Sequence, residues 1–176
     1  MQKLIIVRGH SGSGKSTFAK QKIVEFCAVY SCAEIFHIEN DHYLIEEGKY
    51  YWTPERFKQA KEIAQQKLQQ ALQFCQQFPA KNLLLIVSNV GVNVQEIKRL
   101  LEQAQALRMK TEVYRLQNFF HNQHQVDQET IYSMYLSLIE NPIENEILVT
   151  PIMPMTEKIR DEIERFKSLK RKNTTL

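Results

Sequence analysis

The sequence predicts an α/β protein: a three-layer, doubly wound, mostly parallel five-stranded sheet. Three observations carry that expectation. Short apolar runs alternate with longer amphipathic stretches along the chain, the pattern of repeated β-α units. The first apolar run, residues 4–7, passes directly into a glycine-rich turn and a helix-forming stretch. Residues 83–87 are unbroken apolar sequence, as in strands covered on both faces.

The elements follow in order. A strand is expected at about 3–8, a helix at 15–29 and a second strand at 34–39. Residues 40–52 read as an aromatic-rich loop. The helix at 54–77 opens with Thr53 as N-cap and Pro54 at its first position. Its Phe57, Ala60, Ala64, Leu68, Ala71, Leu72 and Cys75 recur at three- and four-residue steps, with glutamines on the opposite side. A third strand follows at 83–88. Asn93 with Glu96 resembles a capping box and starts a helix to about 107. Then come a strand at 110–116, a polar loop at 117–127 and a helix at 128–139 that Asn141-Pro142 ends. The fifth strand is expected at 146–150. Thr156 caps a last helix to about 169, followed by a frayed basic tail. Residues 1–176 read as a single domain, with a small lid at about 117–140.

The turn itself reads Gly9, His10, Ser11, Gly12, Ser13, Gly14, Lys15, Ser16, Thr17. This is the phosphate-binding loop G-x-x-x-x-G-K-[ST], placed between a strand and a helix as its chemistry requires. Glycines let the backbone bend and aim successive N–H groups at one anion. The helix N-terminus adds unpaired N–H groups and a favourable dipole. Lys15 is the point charge for the β- and γ-phosphates, and the Ser16 hydroxyl is the Mg²⁺ ligand. The expected cofactors are ATP and Mg²⁺, and the fold is that of the P-loop nucleoside triphosphate hydrolases and kinases.

In a doubly wound sheet, ligands bind beyond the carboxyl ends of the strands. That rule selects Glu39, Asn40, Asp41 and His42 after the second strand, Ser88 and Asn89 after the third, and the loop with His121 and His124 after the fourth. Asp41 is the sharpest of these. It reads as the acceptor of a substrate hydroxyl proton, against a loop Asx-turn with Asn40. His42 reads equally as a substrate contact or a solvent-facing loop residue. Tyr43, Tyr50, Tyr51 and Trp52 offer faces for base stacking, although Trp52 is expected to cover the start of the 54–77 helix as core.

Several segments resemble the polynucleotide 5′-hydroxyl kinase family and its small P-loop relatives. They are the first strand with its phosphate loop, N-D-H-Y at 40–43, Y-Y-W-T-P at 50–54, H-N-x-H-x-V at 121–126 and T-I-Y-S-M at 130–134. The resemblance implies transfer of the ATP γ-phosphate to a nucleic-acid 5′ end, with single-stranded DNA or RNA as partner. It implies Asp41 as general base, Lys15 as phosphate lysine and Ser16 as metal ligand. Three positions depart from the family pattern. Ser88 stands where the family has an aspartate, His42 replaces the second acid of D-D-Y, and His121 replaces a lid arginine.

The last departure has energetic weight. No Lys or Arg occurs between Arg115 and Lys158. An arginine on the transferring phosphoryl group is worth ~10³–10⁵ in rate, or about 4–7 kcal/mol of barrier. His121 is therefore assigned a catalytic role as a protonated imidazole, giving catalysis that improves below about pH 6.5. Lys49 and Arg56 are the alternative cations. A small-molecule acceptor, or a nucleotide-binding module with weak or lost transfer, are the other readings of the same loop.

Composition bounds the rest. The chain has 176 residues, 43% hydrophobic, 24% charged, with a formal net charge of +3, which permits nucleic-acid binding without arguing for it. No stretch is long and apolar enough for a membrane span. Cys27, Cys32 and Cys75 form no C-x-x-C pair and read as reduced core thiols of a cytoplasmic protein.

Overall fold

The computed structural model describes residues 1–120 and 126–173, the last three of these by backbone only. Its strands are β1 (Gln2–Arg8), β2 (Glu34–Ile38), β3 (Ile45–Glu46), β4 (Lys49–Tyr50), β5 (Leu83–Ser88), β6 (Lys110–Arg115) and β7 (Ile147–Leu148). Its helices are α1 (Lys15–Val29), α2 (Pro54–Gln77), α3 (Val94–Ala106), α4 (Gln128–Glu140) and α5 (Glu157–Asn173).

Five strands form one parallel sheet in the order β2-β5-β1-β6-β7. Alternation along the central strands builds two cores. Leu4, Ile6, Leu83 and Leu85 pack with Ala64 and Ala71 of α2 and Ile97 and Leu100 of α3. Ile5, Val7, Leu84 and Ile86 pack with Ala19 and Phe26 of α1 on the other face. Each such Leu or Ile, buried on one face of the sheet, contributes about 1.5–3 kcal/mol. This explains why the run at 83–86 is apolar throughout. A third cluster, Ile131, Tyr132 and Ile163, joins α4 to α5.

Local chemistry sets the helix starts. Side-chain oxygens of Thr53, Asn93, Asp127 and Thr156 accept from backbone N–H groups in the first turns of α2, α3, α4 and α5. Helix α1 differs. Its N-cap is Gly14 at φ 89, with no side-chain cap and no acid in the first turn.

Several expectations need correction. Residues 40–52 are more than a loop: a 3₁₀ turn spans Asn40–Leu44, and β3 and β4 form a hairpin. Its turn places Glu47 at φ 49 and Gly48 at φ 75. The fifth strand shrinks to the two residues of β7. Helix α5 continues to Asn173, and residues 174–176 of the expected tail lie outside the described residues. Cys75 is buried core, its thiol pushed up to about 11 by burial. Cys27 and Cys32 are exposed because they fall on the outer side of α1 and in the turn after it. Among the described residues no helix is long and apolar enough to cross a membrane.

The chain leaves β1 toward β2 and β5 on one side, then crosses back to β6 and β7 on the other. The strand order therefore reverses at β1, and the loops leaving β1, β2 and β5 meet at that switch point.

Candidate active site at the sheet switch point

The loop after β1 is pinned at both sides. Gly9 N donates to Val90 O at 3.2 Å, and Leu116 N donates to Arg8 O at 2.9 Å. A Cβ on Gly9 would lie 2.2 Å from Ser13 Oγ, and one on Gly14 would lie 3.0 Å from the Phe120 ring. Gly14 also sits at φ +89, so backbone freedom and close approach both require glycine there. Beyond Gly14 the first N–H groups of α1 carry no side-chain cap. They are left for a ligand, a bare helix N-terminus that favours an anion.

Lys15 lies inside this cradle. It is 8% exposed, and its Nζ donates to His10 O at 3.0 Å. Burial lowers its pKa from the usual lysine value, while the charges of Asp41 and Glu39 work to raise it. A polyanion in the cradle would stabilise the ammonium further. Ser13 is buried, Ser11, Gly12 and Ser16 are half-buried, and Thr17 is exposed on α1.

The loop is held from behind. His10 is fully buried, its Nδ1–H donating to Ser11 O at 2.8 Å. Its ring packs on Phe119 and Tyr135 at centroid distances of 4.4 and 5.7 Å. Burial pushes His10 down to about 4, so its ring is neutral at pH 7. Asn118 Nδ2 donates to Ser13 O at 3.0 Å, and Asn118 Oδ1 accepts from Ile152 N and Met153 N at 2.7 and 3.0 Å. One buried amide thus ties the segment after β7 to the phosphate-loop backbone. Phe120 N donates to Gly12 O at 3.0 Å.

The carboxylates come from the end of β2. Ser16 Oγ donates to Glu39 Oε1. Tyr50 OH donates to Asp41 Oδ1 at 3.2 Å. His37 Nε2 is 2.7 Å from Ser88 Oγ and 3.7 Å from Glu39 Oε2. Asn89 Oδ1 accepts from Asn40 N at 2.9 Å, tying the 3₁₀ turn to the end of β5. Asp41 also lines a cavity of about 510 Å³ between α2 and α3.

Lys15, Ser16 and Asp41 therefore converge, with Glu39 as a fourth member that the sequence placed at the strand end without singling out. Ser88 is engaged by His37, so the acid beside Ser16 comes from β2, not from the end of β5. His42 is exposed. His121 and His124 lie outside the described residues. Arg56 pairs with Glu46 at 2.7 Å and lies over the Tyr51 ring. Trp52 is 56% exposed, not core. It precedes the N-cap and packs on Phe57 at 6.4 Å, a hydrophobic staple that covers only one side of the indole. Arg8 went unremarked in the sequence. It is fully buried, bonded to Gly91 O, Asn141 O and Glu146 at 2.8, 2.8 and 2.6 Å. Its one advance signal is a charged residue closing an apolar strand.

Ser16 Oγ and the Glu39 carboxylate are hard oxygen donors, side by side at the open helix end. That donor set fits Mg²⁺, which is held by one or two carboxylates with water and phosphate oxygens completing the shell. Among the described residues no group of three or more His, Cys, Asp or Glu is placed to hold a metal.

No protein-family model matches the chain. It is 52% identical over 173 residues to the uncharacterized protein PM0531 of Pasteurella multocida (strain Pm70), covering 98% of this chain and 97% of that protein. The chain belongs to the PM0531 family. Solved structures resemble it at the level of fold. A candidate kinase from Chloroflexus aurantiacus is 14% identical, with a TM-score of 0.51 and 95% and 97% of the two chains covered. A gluconokinase from Sinorhizobium meliloti is 14% identical, with a TM-score of 0.42 over 99% and 97%. This PM0531 relative shares its α/β fold with the Chloroflexus protein, built on the five-stranded parallel sheet expected from the sequence.

Proposed function

We propose that this protein is an ATP- and Mg²⁺-dependent kinase that transfers the γ-phosphoryl group to a hydroxyl held at Asp41. One observation carries the reading. Glu39 and Asp41, two residues apart after β2, reach Ser16 and the surroundings of Lys15 on the β1–α1 loop. Glu39 serves Mg²⁺-dependent nucleotide binding and transfer alike; the second carboxylate, Asp41, is the one that transfer to a hydroxyl calls for, as the proton acceptor.

In this reading the backbone of residues 9–14 and the first turn of α1 bind the phosphates, and Lys15 neutralises their charge. Ser16 and Glu39 would hold Mg²⁺, which when bound spreads the charge of the β- and γ-oxygens. Asp41, oriented by Tyr50, accepts the hydroxyl proton. Asn118 holds the loop in register with the segment at 151–155, where the nucleobase is assigned by analogy with related folds. The segment at 117–140 acts as the lid, and His121 or Lys49 supplies its missing cation.

The resemblance in the motifs makes a polynucleotide 5′-hydroxyl the first acceptor to try, and the exposed Tyr51 and Trp52 support stacking there. A small-molecule acceptor is the second reading, favoured by the cavity beside Asp41. The test is label transfer from γ-labelled ATP with Mg²⁺ to both acceptor types. Transfer that Asp41→Asn reduces at least a hundredfold supports the kinase, and Lys15→Ala is expected to abolish nucleotide binding or turnover. Tight ATP binding with no transfer to any acceptor supports a nucleotide-binding module instead.

A further inference from the structure

The cavity beside Asp41 is a groove with a definite chemistry. Its floor is the sheet surface at Ile6, Ile38 and Val87, and its upper end holds Asn40, Asp41 and Asn89. Leu68 on α2 and Leu100 on α3 mark its apolar depth. The lining positions on α2 (57, 61, 64, 65, 68) and on α3 with its N-cap (93, 96, 97, 99, 100, 103) fall mostly at three- and four-residue steps. The groove therefore runs down between two antiparallel-to-sheet helices rather than across the protein surface.

Charge decides what fits. The lining carries two cations, Lys61 and Arg99, and two anions, Asp41 and Glu96. Its net formal charge is zero. A channel for a polynucleotide carries a positive stripe that follows the backbone, and this lining has none. Lys61 and Arg99 are exposed, and among the described residues neither forms an ion pair; Lys61 lies over the Phe57 ring at 6.0 Å. Lys61 lies seven residues into α2 and Arg99 five into α3, about one and a half to two turns along each helix.

We infer that the groove binds the phosphate acceptor, and that the acceptor is a small alcohol with a hydrocarbon body and one anionic group. Its hydroxyl lies at Asp41, its body against Phe57, Leu68 and Leu100, and its anion at Lys61 and Arg99. The volume of about 510 Å³ suits a molecule of that size. This rests on the kinase reading and chooses between its two acceptors. In the transfer, the acceptor oxygen bonds to the γ-phosphorus as the bond from that phosphorus to the β,γ-bridging oxygen breaks. The hydroxyl proton passes to Asp41, and the nucleoside diphosphate leaves with the bonding pair.

The test uses the full-length protein with γ-labelled ATP and Mg²⁺. The probes are ω-hydroxyoctanoate, para-(hydroxymethyl)benzoate and a 5′-hydroxyl DNA oligonucleotide. The expected result is transfer to a hydroxy acid with a higher kcat/KM than to the oligonucleotide. Lys61→Gln and Arg99→Gln are surface changes and fold; each is expected to raise KM for the hydroxy acid about tenfold, with ATP affinity unaffected. Octanol, which lacks the carboxylate, is expected to be insensitive to both. Leu68→Trp fills the groove and is expected to lower kcat/KM for the acids while ATP still binds. A higher kcat/KM for the oligonucleotide, or no effect of the Lys61 and Arg99 substitutions, overturns the inference and leaves the kinase reading standing. ATP binding with transfer to none of the probes overturns both.

Discussion

The phenol of Tyr50 donates to Asp41 Oδ1 across 3.2 Å. The contact exists because a two-residue turn folds β4 back along β3, with Glu47 and Gly48 both at positive φ. Burial, then the charge of Asp41 and this hydrogen bond, push the Tyr50 hydroxyl up to about 12. Asp41→Asn removes the charge and leaves the burial. The Tyr50 pKa is therefore expected to fall from about 12 while staying above the usual tyrosine value of 10. Ultraviolet titration of the variant, with Tyr50→Phe as reference, reads this directly. An unmoved pKa would show that the two groups are not in contact.

Glu39 touches Ser16, and the pair is assigned to the metal. Glu39→Gln keeps the shape and removes the charge. The Mg²⁺ concentration for half-maximal ATP binding is expected to rise about tenfold or more, and calorimetric titration at several Mg²⁺ levels measures it. ATP binding without Mg²⁺ is expected to change much less.

His10 links the loop to pH. Its ordinary value is 6.5, and in the folded protein burial pushes it down to about 4. Between those values the unfolded chain binds more protons. The stability that the neutral ring contributes is therefore whole above pH 6.5, declines as pH falls, and is lost below about pH 4. The full loss is about 3 kcal/mol. Urea unfolding across that window should show His10→Phe losing less stability than the wild type on acidification, since the Phe119 and Tyr135 contacts accept either ring.

The features that the sequence made legible are the local ones. Thr53, Asn93 and Thr156 sit where their own oxygens reach N–H groups two or three residues on, so the starts of three helices could be read directly. The stripe of Ala60, Ala64, Ala71 and Cys75 faces the core because helical period alone decides it. The hairpin at 45–50 escaped because its strands have two residues each and its Glu-Gly turn is not a strong turn pair. Glu39 and Asp41 were both visible at a strand end, but the rotation of a 3₁₀ turn, not the sequence, determines which carboxylate meets Ser16. Arg8 and Glu146 are 138 residues apart, and no local pattern pairs them.

That last pair is a stability prediction. Glu146 lies 2.6 Å from Arg8 and 3.2 Å from Arg115, all three side chains largely buried. Glu146→Gln leaves two guanidinium groups without their counter-charge and is expected to cost about 3–5 kcal/mol in urea unfolding. A double change that replaces Arg8 and Glu146 together by Met and Leu is expected to recover part of that loss.

The most direct test of the central claim is a crystal structure with a non-hydrolysable ATP analogue and Mg²⁺. The account predicts the triphosphate wrapped by residues 9–16, with Lys15 on the terminal phosphate, the ion between Ser16 and Glu39, and space for one hydroxyl oxygen between Asp41 and the γ-phosphorus. An analogue bound elsewhere, or a bound analogue whose γ-phosphorus faces away from Asp41, would contradict it.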